Sequence, residues 1–158
     1  MSKRILIVED EPMISQDLKI VIESLGHEVV ATADNSIDAL NAFQKVQPDL
    51  VFLDVQIKGE KDGIQIAQTI KSINTTPFIF LTSFFDDETV YRIRQENPAA
   101  YIVKPFKDSD IKVNLGLAFN QQESNSSTDT GSKELFVRKN GDLKKIQFQD
   151  VIWIKGED

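Results

Sequence analysis

Five polar residues of this 158-residue chain sit at the ends of short apolar runs. Glu9 and Asp10 follow Ile5-Leu6-Ile7-Val8, and Asp54 follows Leu50-Val51-Phe52-Leu53. Thr82 closes Phe78-Ile79-Phe80-Leu81, and Lys104 follows Ala100-Tyr101-Ile102-Val103. A carboxylate that ends a buried segment is costly unless something pairs with it. Three carboxylates gathered at one edge repel one another and raise one another's pKa unless a cation binds. An acidic, oxygen-only donor set suits a hard divalent ion, Mg²⁺ above all. With a hydroxyl and an ammonium added, the set can receive a phosphoryl group. Asp54 would attack in line, Mg²⁺ would neutralise charge between donor oxygens and acids, and Lys104 and Thr82 would hold the transferred oxygens. The product is an aspartyl phosphate.

These residues meet only if the runs lie side by side as parallel strands. The pattern supports that arrangement. Arg4–Val8, Glu28–Ala33, Leu50–Leu53, Pro77–Thr82 and Ala100–Val103 have the length and β-branched or aromatic content of strands. Helical spacing alternates with them. Asp10-Glu11 before Pro12 reads as an acidic cap with Pro in the first turn, and Ile14, Leu18, Val21, Ile22 and Leu25 follow on one face until Gly26. Ser36 is read as the cap of a second helix carrying Ile37, Leu40, Phe43 and Val46 inward. Ile66, Ile70 and Ile73 mark the inner face of a third helix over 62–73. A charged helix spans 86–96, and a last one spans 108 to about 120 with Ile111, Leu115 and Ala118 inward. Five βα units with strands this apolar predict a five-stranded parallel, doubly wound α/β sheet. In such folds the site lies at the carboxyl ends of the strands.

Composition excludes several classes. The chain has no cysteine, so a disulfide framework and thiolate metal sites are ruled out. A formal net charge of −7 disfavours phosphate-backbone binding by the chain as a whole. The opening MSKRILIVEDEP does not read as a signal peptide, because acidic residues interrupt its apolar run. No apolar stretch approaches membrane-spanning length. A cytoplasmic protein without a membrane partner is the expectation.

The motifs ILIVEDEP, FLDV, LTS and YIVKPF, in that order and at strand ends, resemble the receiver domain of two-component response regulators (CheY-like, of flavodoxin-like fold) over roughly residues 3–120. The resemblance implies that Asp54 is the phosphoacceptor and that Glu9 and Asp10 help to bind Mg²⁺ with the backbone carbonyl of Gln56. It implies that Thr82 is the switch hydroxyl, Lys104 the active-site lysine and Tyr101 the aromatic switch. A sensor histidine kinase or phosphotransfer protein would supply the phosphoryl group. The face formed by the fourth helix, fifth strand and fifth helix would form a homodimer on activation, and Val113 and Leu117 are candidates for it. Phe84, two residues after Thr82, would overlook the acyl phosphate and block the hydrolytic water. One departure stands out: QIKGEKDG after the acceptor lacks the usual Pro and is one residue longer than expected, with Gly59 able to absorb the insertion at positive φ.

Plainer readings stand beside these. Glu9 and Asp10 could be helix caps, Thr82 a strand residue, Lys104 a solvated lysine and Tyr101 a core aromatic. The sole histidine, His27, reads as a turn residue. A metal-dependent phosphohydrolase with an Asp nucleophile is a weaker alternative, since the haloacid-dehalogenase pattern needs an Asp where Gln56 stands. A flavodoxin-like cofactor binder would place a Gly- or Ser-rich loop where this chain has Glu-Asp-Glu-Pro.

Residues 121–133, QQESNSSTDTGSK, lack large apolar side chains and read as a flexible linker. Residues 134–158 follow with an NGD hairpin signal and a further β-rich run from Val151. The segment from Phe136 to Asp158 resembles the first strands of a LytTR-type DNA-binding domain, incomplete here. DNA binding would require that domain whole. An adaptor receiver without DNA output is the alternative.

Overall fold

Each apolar run becomes a strand, and each periodic segment between them becomes a helix. The structure is a computed structural model describing residues 2–83, 86–124, 134–139 and 142–147, with side chains placed up to residue 120. The strands are β1 (Arg4–Val8), β2 (Glu28–Ala33), β3 (Leu50–Asp54), β4 (Phe78–Thr82) and β5 (Ala100–Val103). The helices are α1 (Pro12–Ser24), α2 (Ser36–Val46), α3 (Gly63–Ile73), α4 (Asp87–Glu96) and α5 (Asp108–Ser124). All four sheet pairings are parallel, in the order β2-β1-β3-β4-β5. Ile5–Val8 and Leu50–Leu53 have no solvent exposure, as strands covered by helices on both faces require. The chain reverses its direction of travel across the sheet between β1 and β3. The crevice at their carboxyl ends is therefore the switch point where such folds bind ligands.

The helix caps correct several expectations. The N-cap of α1 is Glu11, one of the two acids expected there, with Pro12 in the first turn, but its side chain makes no capping bond. Asp10 is thus released from a capping role. Asn35, not Ser36, caps α2, its side chain accepting from the Asp38 N–H. Ile37 points outward at 62% exposure, while Ala39 and Phe43 enter the core. Ile73 is likewise exposed, and Ile64 and Ala67 join Ile66 and Ile70 on the inner face of α3. In α1 and α5 the expected stripes hold: Leu18, Val21 and Ile22, and then Ile111, Leu115 and Ala118, are buried. Gly26 ends α1 with φ +90.

Beyond the receiver-like unit, α5 continues to Ser124, so helix occupies the first four positions of the expected linker. Strands β6 (Glu134–Lys139) and β7 (Asp142–Gln147) pair antiparallel as the expected hairpin, with Lys139 opposite Asp142. They form a separate two-stranded sheet that lies against β5 and α5. The run from Val151 lies outside the described residues. Among the described residues, no helix is long and apolar enough to cross a membrane.

Candidate functional site

The parallel register brings the strand-end polar groups together. Val8 pairs with Leu53, so Glu9 and Asp54 leave β1 and β3 side by side. Glu9, Asp10 and Asp54 each offer a carboxylate oxygen within 4.8 Å of the others. Glu9 and Asp54 are buried; Asp10 is half-buried at the mouth. Lys104 enters from β5, its backbone N–H donating to the Thr82 carbonyl at 2.8 Å. Its ammonium lies 2.9 Å from Glu9 Oε2 and donates to Asp54 Oδ2 at 3.2 Å.

Backbone amides hold the acids in place. The Glu11 N–H donates to Glu9 Oε1 at 3.1 Å, and the Gln56 N–H donates to Asp54 Oδ1 at 3.0 Å. Thr82 is buried at the end of β4, beside Leu81, which pairs with Asp54. Tyr101 is buried within β5, and its burial pushes the phenol pKa up. Val113 and Leu117 are half-buried on α5. Phe84 lies outside the described residues.

The electrostatics follow from burial. Desolvation pushes the Glu9 carboxyl up to about 7; the Lys104 hydrogen bond works against it and the Asp54 charge with it. Asp10 is raised by partial burial and by Asp54. Burial pulls the Lys104 ammonium down, but the hydrogen bond to Glu9 and the charges of Asp54 and Glu9 outweigh it and leave its pKa raised. One lysine charge therefore faces two buried acids and a third at the rim. Glu9 Oε2 is buried with the lysine ammonium as its close neighbour. Three carboxylate oxygens within 4.8 Å of one another against a single lysine charge fit a hard divalent cation.

The long QIKGEKDG loop is tied down on both sides. The Val55 N–H donates to Leu81 O and the Gly63 N–H to Val55 O, each at 2.9 Å. The Ser36 N–H donates to Lys58 O at 2.9 Å, docking the loop onto the start of α2. Gly59 takes φ +119, the positive φ expected of it, and a Cβ there would strike Ser36.

Sequence reasoning missed three contributors. Glu11 lies 3.9 Å from Lys104 Nζ, a third acid in the Glu-Asp-Glu run. Ser36 receives the loop. At Gly63 a Cβ would collide with the Asp54 carbonyl oxygen, so α3 starts pressed against the peptide of Asp54. The Asp-Gly pair before a helix was its only signal.

Comparison with known proteins agrees with this geometry. The family model described as "Response regulator receiver domain" matches residues 5–115. The transcriptional regulatory protein PdtaR of Mycobacterium tuberculosis is 37% identical over 116 residues, covering 73% of this chain and 56% of that protein. The transcriptional regulatory protein YpdB of Escherichia coli is 29% identical over 153 residues, covering 94% of this chain and 60% of that protein. This chain thus spans little more than half the length of these curated relatives. The crystal structure of the signal receiver domain of a modulated diguanylate cyclase from Desulfovibrio desulfuricans superposes with a TM-score of 0.74 at 30% identity, covering 79% of this chain and 99% of that one.

Proposed function

Because this chain belongs to the response regulator receiver family, we propose that it is the phosphoacceptor module of a two-component system, with Asp54 as the acceptor. Receivers are signalling proteins rather than classical enzymes, and the chemistry proposed here is self-modification. The observation that carries the reading is the convergence of Glu9, Asp10 and Asp54 oxygens within 4.8 Å, with the Lys104 ammonium 3.2 Å from Asp54.

A sensor histidine kinase or phosphotransfer protein would donate the phosphoryl group. An Asp54 carboxylate oxygen attacks phosphorus, the P–N bond to the donor imidazole breaks, and an acyl phosphate forms. Glu9, Asp10, Asp54 and the backbone carbonyl of Gln56 would hold Mg²⁺. Bound there, the metal offsets the charge of the transferring phosphoryl oxygens. Lys104 is positioned to move from Asp54 Oδ2 to a phosphoryl oxygen, exchanging one charge-assisted hydrogen bond for another. The Gln56 N–H keeps the other carboxylate oxygen oriented. Thr82 would turn toward the new anion and Tyr101 would follow, altering the α4–β5–α5 face.

We further propose a transcription-regulating output. Its support is the LytTR-type resemblance of residues 136–158, the hairpin of β6 and β7, and an alignment with a transcriptional regulatory protein that extends over 94% of this chain.

The test is intact mass after incubation with acetyl phosphate. A single phosphoryl adduct that requires Mg²⁺ and is absent from Asp54→Asn supports the reading. A folded, Mg²⁺-binding protein that takes no adduct from acetyl phosphate or from a phosphohistidine donor sinks it.

A further inference from the structure

Helix α4 is poorly anchored by apolar packing. Its buried apolar side chains are Val90 and Ile93, and its third buried residue is a glutamate, Glu96. Polar ties toward α3 take up the task at two points. Near its middle, Arg92 Nη2 donates to Asp62 Oδ2 at 2.7 Å. At its end, Glu96 Oε1 accepts from Gln68 Nε2 at 2.8 Å and Oε2 lies 3.5 Å from Lys71 Nζ. Lys71 also donates to the Glu96 carbonyl at 3.1 Å.

Asp62 has two tasks. Its Oδ1 accepts the Gln65 N–H and caps α3, in a reciprocal box with the Gln65 side chain. Its Oδ2 holds Arg92. The next residue, Gly63, is the one packed against the Asp54 carbonyl, and its N–H is bonded to Val55 O. A short chain of contacts therefore runs from α4 through Arg92 and Asp62 to the peptide of the acceptor. Thr82 lies at the other end of the segment that leads into α4.

We propose that Arg92 is a positioning residue for phosphoryl transfer: paired with Asp62, it holds α4 in its resting place relative to the Asp54 peptide and so sets how readily Asp54 is phosphorylated. The inference rests on Asp54 being the acceptor. A half-exposed ion pair has a small effect where a helix is clamped by many apolar side chains. In α4, with two such anchors, the polar ties carry more of the load, and the Arg92–Asp62 pair is the one next to the Asp54 peptide. If phosphorylation draws Thr82 toward Asp54 and α4 moves with it, the move works against this tie. Removing the tie favours the shifted state and, by linkage, the phosphorylated one.

The experiment measures the initial rate of adduct formation with acetyl phosphate and Mg²⁺ for the wild-type chain, Arg92→Gln, Arg92→Lys, Asp62→Asn and the Arg92→Gln/Asp62→Asn double variant. Asn keeps the cap of α3 while removing the charge. The expected result is a rate about two- to fivefold higher in Arg92→Gln and in Asp62→Asn. The double variant should gain no more than either single one, and Arg92→Lys should return toward the wild-type rate. A wild-type rate in folded Arg92→Gln, or additive effects in the double variant, overturns the proposal. Absence of any adduct in the wild-type chain instead overturns the acceptor reading, and the tie's role falls with it.

Discussion

With Glu9 as a proposed ligand of the cation, its protonation governs binding at the site. Its carboxyl is held near 7 by burial, so it carries a proton through much of the mildly acidic range. A metal ligand must be ionised. Mg²⁺ affinity is therefore expected to rise as pH climbs through about 7 and to fall by up to about tenfold per unit below it. Calorimetric titration at pH 6 and pH 8 measures this, and Glu9→Gln should bind more weakly with a flatter profile. Equal affinity at both values in the wild-type chain would contradict it. Gly63 makes a second claim at this scale. A methyl group there meets the Asp54 carbonyl, backbone against backbone, so Gly63→Ala should cost about 1–3 kcal/mol in urea unfolding. The convergence of Glu9, Asp10, Asp54 and Lys104 was legible because strand ends of a parallel sheet meet whatever the loops do. Gly63 was not, because close approach is a property of the packed fold and leaves no mark in residue type beyond the glycine itself.

The strands were the most legible elements, since runs such as Leu50–Leu53 are buried on every side and leave little choice of structure. Helix faces were less so. Ile37 and Ile73 carry apolar side chains at helical spacing yet lie toward solvent, where an isolated apolar residue is tolerated. Cap identity slipped by one residue at α2 because Asn35 and Ser36 are both good caps and only the backbone angle chooses. His27 gives a prediction at the junction of elements. Its Nδ1 accepts the Lys3 N–H at 3.1 Å, and its ring lies 5.3 Å from that of Phe119 on α5. Burial lowers its pKa from the ordinary 6.5, helped by the N-terminal charge and Lys3. The unfolded chain then binds the proton more readily than the folded one, so the stability contribution is full above 6.5 and is lost as pH falls through 6.5 toward the lower folded value. Urea unfolding across this window should show a steeper acid-side loss for the wild-type chain than for His27→Gln. Parallel profiles would assign the junction no such role.

For the whole molecule, the five-stranded parallel doubly wound sheet followed from the pattern, while the length of α5 did not. Residues 121–124 lack large apolar side chains, yet α5 continues to Ser124. The hairpin of β6 and β7 lies against β5 and α5, beside the surface proposed for assembly of two copies. Val113 and Leu117 are half-buried there, so a charge at both should prevent association. Sedimentation of the phosphorylated Val113→Glu/Leu117→Glu variant is expected to show monomer where the wild-type chain shows dimer, and an unchanged dimer would move the interface elsewhere. The central proposal is that one buried acid, Asp54, serves as the nucleophile. Borohydride reduction of the phosphorylated chain, followed by peptide mass mapping, tests it most directly. A single conversion of Asp54 to homoserine is the expected result. A phosphoryl group mapped to His27, to a serine or threonine, or to another carboxylate would contradict it.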